Sequence, residues 1–411
     1  MDYLKKINDK LTVIVSGSDA LSTSFAIMVG TGSVNENDKT NGLSHFIEHM
    51  NFKGTNEMTA FEISNALETY GANFNAYTGA DVTCYYAQTL SENLEDAFRV
   101  FSSAVFNSIY NSAELEKEKG VILEEINMSL DSPEDVCYDL SALSYFGSNG
   151  YGRTILGTSE NVKSFTKSDI LEYLNKYYVA NNVCITFAGN VDIDTAVRLV
   201  NTYVVPFISF NEKAKEEERN LVNLKQNLST QKDIEQVHFC LTFNSPNYLD
   251  SDRVASEIAT SILGGGMSSR LFQKVREELG LAYSVYATST RFKDVGTTSI
   301  YAGVNPSSVD SAFSAVLEVI SNLKTNGITN DEFIRVKNQI KSSTVFSLER
   351  TMSRAQLFSK YYLNTGKLYN VTERLNALDL VSKSDVIDAL NYFDINNMST
   401  AIVGKNVKPL K

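Results

Sequence analysis

The amino-acid sequence predicts an α+β protein of two homologous domains, each a mainly antiparallel sheet covered by helices. Three observations predict it. Strand-like pairs are followed by helix-like pairs, twice over and in the same order. Matched pieces, Asp96-Ala-Phe-Arg-Val-Phe and Ser311-Ala-Phe-Ser-Ala-Val, point to a duplication. A chain of 411 residues with 43% hydrophobic content can bury two or more conventional cores.

In chain order, Leu11-Thr-Val-Ile-Val reads as a first strand. Asn73-Phe-Asn-Ala-Tyr-Thr and Thr83-Cys-Tyr-Tyr-Ala-Gln read as paired strands around Gly79-Ala-Asp. Helical stretches follow from Glu92 and from Ser112. Residues from about Phe207 to Gln236 carry the charge run Glu212–Arg219 with little apolar periodicity, which predicts a solvated linker. The second half repeats the order: strands at Ala282-Tyr-Ser-Val-Tyr-Ala and Thr297-Thr-Ser-Ile-Tyr-Ala-Gly, then helices from Val309 and Asn330. The expected division is residues 1–208, a linker at 209–235, and residues 236–411.

Composition narrows the function. A net charge of -12 argues against nucleic acid, which needs a basic footprint. No apolar run reaches the 18 or so residues of a membrane span. The four scattered cysteines form no Cys-x-x-Cys pair and read as thiols in a reducing compartment. The N-terminus shows no targeting pattern, so the expected location is cytoplasmic, with no membrane and no nucleic-acid partner.

The chemistry is concentrated in the histidines. There are three, and two stand four apart in His45-Phe-Ile-Glu48-His49. On a helix these share a face, so both imidazoles can reach one metal ion, with Glu48 beside them. A catalytic zinc usually takes a third protein ligand and keeps one position open for water. The helix from Ser112 offers Glu118 and Glu125, seven apart on one face, while Glu124 points about 100° away. Periodicity selects that pair without saying which binds. Aligning the two halves puts Val336 opposite Glu118 and Ser343 opposite Glu125, so only the first half is equipped for metal.

His45-Phe-Ile-Glu-His49-Met-Asn-Phe-Lys-Gly-Thr55 resembles the inverted zinc motif of the pitrilysin-type metallopeptidases, which include mitochondrial processing peptidases and insulin-degrading enzymes. That family's third ligand is a glutamate about 75 residues past the second histidine, and residues 50–124 supply that gap. The resemblance therefore implies His45, His49 and Glu125 as ligands of one zinc per chain. It implies Glu118 as the acid that holds a ligand histidine. It also implies a processing-peptidase-like fold, and Glu48 as the base that takes a proton from water during attack on a peptide carbonyl.

Further matches extend over most of the chain. The glycines Gly264, Gly265 and Gly266 cannot support a regular helix and predict a mobile loop, implicated by the family in substrate handling. A phosphate cradle is the rival, but no Gly-Lys-[Ser/Thr] follows. Arg276 and Tyr283 match the family's pair, the arginine holding substrate backbone and the tyrosine stabilising the oxyanion. Asn75, Ala76 and Tyr77 match a strand whose edge pairs with an extended substrate. Phe52 matches an aromatic beyond the scissile bond, with core packing as the alternative. His238 reads as a structural histidine in a strand. The expected activity is zinc-dependent cleavage of unfolded peptides inside a homodimeric chamber. A heterodimer with a degenerate paralogue, a non-catalytic partner subunit and a non-haem iron oxygenase are the alternatives.

Overall fold

Leu11–Gly17 is a strand because its β-branched run is buried on both faces, and it lies inside a six-stranded sheet. A computed structural model describes all residues except 1, 213, 215–220, 222 and 411. The first sheet contains β1 (Asp2–Ile7), β2 (Leu11–Gly17), β3 (Ser22–Val29), β4 (Asn73–Thr78), β5 (Thr83–Leu90) and β6 (Val183–Gly189). Its spatial order is β1-β2-β6-β3-β5-β4, with only the β2/β6 pair parallel. The second sheet contains β7 (Asn227–Gln231), β8 (Val237–Ser245), β9 (Ala282–Arg291), β10 (Gly296–Val304) and β11 (Ser399–Gly404). Its order is β7-β11-β8-β10-β9, with only β7/β11 parallel.

The two topologies are the same once β1 is set aside. In each, the first and last strands pair in parallel, and a hairpin closes the far edge. The duplicated sequence therefore makes a duplicated α+β fold. β7 falls inside the span read as a linker. Its polar sequence Asn-Leu-Ser-Thr-Gln, at the rim of the sheet, leaves no apolar alternation to read. Most of the charge run Glu212–Arg219 lies outside the described residues.

The chain forms two units that are not consecutive halves. One comprises Met1–Asn127, Arg153–Arg219 and Val345–Tyr369; the other Met128–Gly152, Asn220–Thr344 and Asn370–Lys411. The helix Thr351–Thr365 belongs to the first unit, where Ala355 packs with Ala26, Met28, Cys84 and Ala188 on one face of the sheet. Its hydroxyls are matched: Thr351 with Ser24 at 2.8 Å, and Ser359 donating to Thr186 at 2.7 Å. The opposite face carries the main core, where the Phe25 ring contacts those of Phe98, Phe101 and Phe187. In the second unit the helix Pro133–Phe146 plays the equivalent part, with Cys137 against Cys240 and Ser141 against Thr242 at 2.6 Å.

Candidate metal centre

The helix Leu43–Met50 carries the histidine pair and starts unusually. Gly42 enters it in the left-handed region at φ 98°, where a Cβ would lie 2.6 Å from the Leu156 carbonyl oxygen. Its first amides are satisfied by a distant carboxylate. Glu36, buried, accepts from the backbone of Gly42 at 2.8 Å and of Ser44 at 2.7 Å, and from Asn41 Nδ2 at 3.0 Å. Burial pushes that carboxyl above its ordinary range, against the pull of these donors. With Leu43, Phe46, Ile47 and Met50 in the core, His45, Glu48 and His49 are left on the remaining face.

The helix Ser112–Asp131 supplies the acids. Its buried stripe is Leu115, Glu118, Ile122 and Ile126, so Glu118 occupies a position where the pattern demands an apolar residue. A buried carboxylate needs partners, and it has two: Glu118 Oε1 lies 2.8 Å from His49 Nδ1, and Oε2 lies 2.6 Å from Lys53 Nζ. Burial would raise its carboxyl, but those contacts outweigh burial and hold it below the ordinary range.

Glu125, one residue off the stripe, reaches both imidazoles. Its Oε2 is 3.2 Å from His45 Nε2 and 3.5 Å from His49 Nε2. One donor atom from each of the three residues lies within 4.8 Å of the others. A tetrahedral ion with bonds of ~2.0–2.1 Å holds its ligands ~3.3–3.4 Å apart, so the two shortest separations suit a zinc-sized ion. Two imidazoles and one carboxylate are also the donor types zinc prefers. Burial works to lower His45, but the hydrogen bond to Glu125 and the nearby negative charge of Glu48 carry it up to about 9. The hydrogen bond to His45 likewise lowers Glu125.

Glu48 stands beside this group, its Oε2 3.7 Å from His45 Nδ1. That same oxygen accepts a hydrogen bond from Thr78 Oγ1 at 2.5 Å. Asn75, Ala76 and Tyr77 lie on β4, the last strand of its sheet, whose residues alternate between exposed and half-buried. Asn75 and Tyr77 are exposed. Phe52 sits among the rings of Phe74, Phe101 and Tyr85, the arrangement of a core residue. In the sequence Lys53 was not picked out as a site residue, and Thr78 entered only as the last residue of the strand motif Asn73–Thr78. Lys53 lies in the turn just past the end of the helix at Met50, within the matched stretch His45–Thr55.

Arg276 and Tyr283 belong to the other unit, where they meet each other. The guanidinium lies 4.9 Å from the centre of the Tyr283 ring and 4.7 Å from that of Phe272. Arg276 lies on a π-helical segment, Phe272–Glu278, and the Tyr283 side chain is 77% exposed. The glycines differ from the expected mobile loop. Gly264 is the last residue of the helix Arg253–Gly264, and a Cβ there would lie 2.4 Å from the Ala287 amide nitrogen. Gly265 is similarly crowded by Ser261, whereas a Cβ at Gly266 would make only an ordinary contact, 3.7 Å from Gln339 Nε2. Two of the three are therefore required by close packing. His238 pairs with Tyr301 at 2.7 Å in β8 and takes no part in the metal group.

Residues 12–159 match the family described as Insulinase (Peptidase family M16), and residues 164–340 match its Peptidase M16 inactive domain. The uncharacterized zinc protease YmxG of Bacillus subtilis is 36% identical over 372 residues, covering 90% of each chain. The chain belongs to peptidase family M16. An uncharacterized zinc protease of Rickettsia felis is 33% identical, over 98% of this chain and 97% of its own. A crystal structure of a protease from Helicobacter pylori shares the fold with a TM-score of 0.91 at 23% identity, covering 98% of this chain and 99% of that one. A peptidase M16 inactive domain from Pseudomonas fluorescens gives 0.89 at 19% identity, with both chains covered completely. This M16 chain keeps its metal-ligating types in the residues matched by the first family model. Those matched by the second include Val336 at the place of Glu118. Among the described residues no helix is long and apolar enough to cross a membrane.

Proposed function

We propose that this M16 chain is a zinc-dependent endopeptidase acting on unfolded peptides. The observation that carries the proposal is the convergence of His45, His49 and Glu125 with a separate carboxylate, Glu48, beside them. A zinc ion held by those three residues would acidify water and polarise a carbonyl. The other duties fall to the protein. Glu48, on the helix but outside the ligand set, takes the proton from water and returns it to the leaving amine. Glu118, itself held by Lys53, fixes the His49 ring. The exposed edge of β4 receives an extended peptide by strand pairing, with Asn75, Ala76 and Tyr77 along it. Arg276 and Tyr283 serve as substrate-backbone and oxyanion donors.

We further propose a homodimer in the cytoplasm, since one chain carries both sets of residues; sedimentation should give twice the 45.6 kDa chain mass. Incubation with a mixture of unstructured peptides, read by mass spectrometry, tests the activity. Products are expected from the zinc-loaded protein, none after chelation, and products again on adding zinc. A zinc-loaded protein that yields none would favour the non-catalytic partner role.

A further inference from the structure

Thr78 ends β4, where its backbone faces Thr83 across the hairpin and Gly79 closes the turn onto Val82. The hairpin therefore holds the strand in addition to its packing against the helix Leu43–Met50. From that position Thr78 Oγ1 donates to Glu48 Oε2 at 2.5 Å. We propose that Thr78 is a positioning residue for the base: its hydroxyl holds one oxygen of Glu48 and leaves Oε1 to accept the proton. The inference rests on the peptidase reading above.

The physical case is one of freedom removed. A glutamate side chain has three rotatable bonds, and holding it in one rotamer costs entropy that a fixed partner must offset. His45 Nδ1, at 3.7 Å, is too far to fix the carboxylate by a hydrogen bond. The Thr78 hydroxyl, at charge-assisted hydrogen-bond distance, does so. It also ties the base to the strand that carries Asn75, Ala76 and Tyr77, so substrate pairing and base placement share one rigid element.

The test compares Thr78→Val, which keeps the shape and the strand preference, with Thr78→Ser, which keeps the hydroxyl. Thr78→Val is expected to lower kcat about 10- to 100-fold with KM and zinc content close to wild type. Thr78→Ser should restore most of it, and adding Thr78→Val to Glu48→Gln should cost nothing more. Crystal structures of wild type and Thr78→Val should show the Glu48 carboxylate displaced only in the variant. Unchanged kcat in Thr78→Val, or an unmoved Glu48 in its crystal structure, overturns the proposal. If wild-type protein cleaves no peptide, the peptidase reading fails, and the position of Glu48 in the two crystal structures still decides whether Thr78 holds it.

Discussion

At the scale of single residues, the metal centre depends on a carboxylate in the wrong place for folding alone. Glu118 interrupts an apolar stripe, and both its oxygens are taken up by His49 and Lys53. An imidazole so held presents its other nitrogen in a fixed direction, and losing such a partner typically costs about 10- to 100-fold in metal affinity. Glu118→Gln should weaken zinc binding by that factor in a chelator competition while circular dichroism stays unchanged; undiminished affinity would mean that Glu118 only fills the core. The carboxylates at 118 and 125 were legible as a pair from their spacing of seven. Which one reaches both imidazoles was not legible from periodicity, only from the family resemblance, because it depends on a contact across 69 to 80 residues of chain. Thr78 was illegible as a base partner for the same reason: strand periodicity gives its side, not what stands opposite.

At the scale of elements, the segment that bears Arg276 is anchored by ion pairing. Arg270 grips Glu332 at 2.8 and 3.0 Å and also donates to the Gly327 carbonyl at 2.8 Å. Burial pushes the Glu332 carboxyl up, but Arg270 and the Thr329 amide outweigh it and hold it at about 2, against an ordinary 4.5. In the unfolded chain the group titrates at its ordinary value. Its stabilisation is therefore complete above about 4.5 and is lost as pH falls from there through about 2. Glu332→Gln should lower stability at neutral pH by about 2–3 kcal/mol, and the deficit should shrink steadily in denaturant titrations below pH 4.5. A deficit independent of pH would assign the loss to packing. The strands at Leu11, Asn73, Thr83, Ala282 and Thr297 were readable from their β-branched and aromatic residues, whereas β1, β3, β6 and β11 went unread. β7 was unreadable, since a polar strand at a sheet rim has no period to show. The glycine run was readable as a break in helix, but not as close packing: the demand on Gly264 comes from Ala287, on another element.

At the scale of the whole molecule, duplication was visible in the sequence, but the exchange of helices between the halves was not. Neither Pro133–Phe146 nor Thr351–Thr365 was read from the sequence, and a local pattern does not say which sheet a helix covers. The exchange has a consequence for folding. Residues 1–208 alone would expose the sheet face of Ala26, Met28, Cys84 and Ala188, which Ala355 covers in the intact chain. That fragment should aggregate when expressed alone and regain solubility when co-expressed with the remainder of the chain. Independent folding of the fragment would contradict this account.

The most direct test of the central claim, that Glu48 acts on water at a site built by His45, His49 and Glu125, is one paired measurement on Glu48→Gln. Zinc content and peptide turnover are determined on the same sample beside wild type. The account predicts one zinc per chain retained and turnover reduced by about 100- to 10,000-fold. Equal turnover with zinc in place would contradict it.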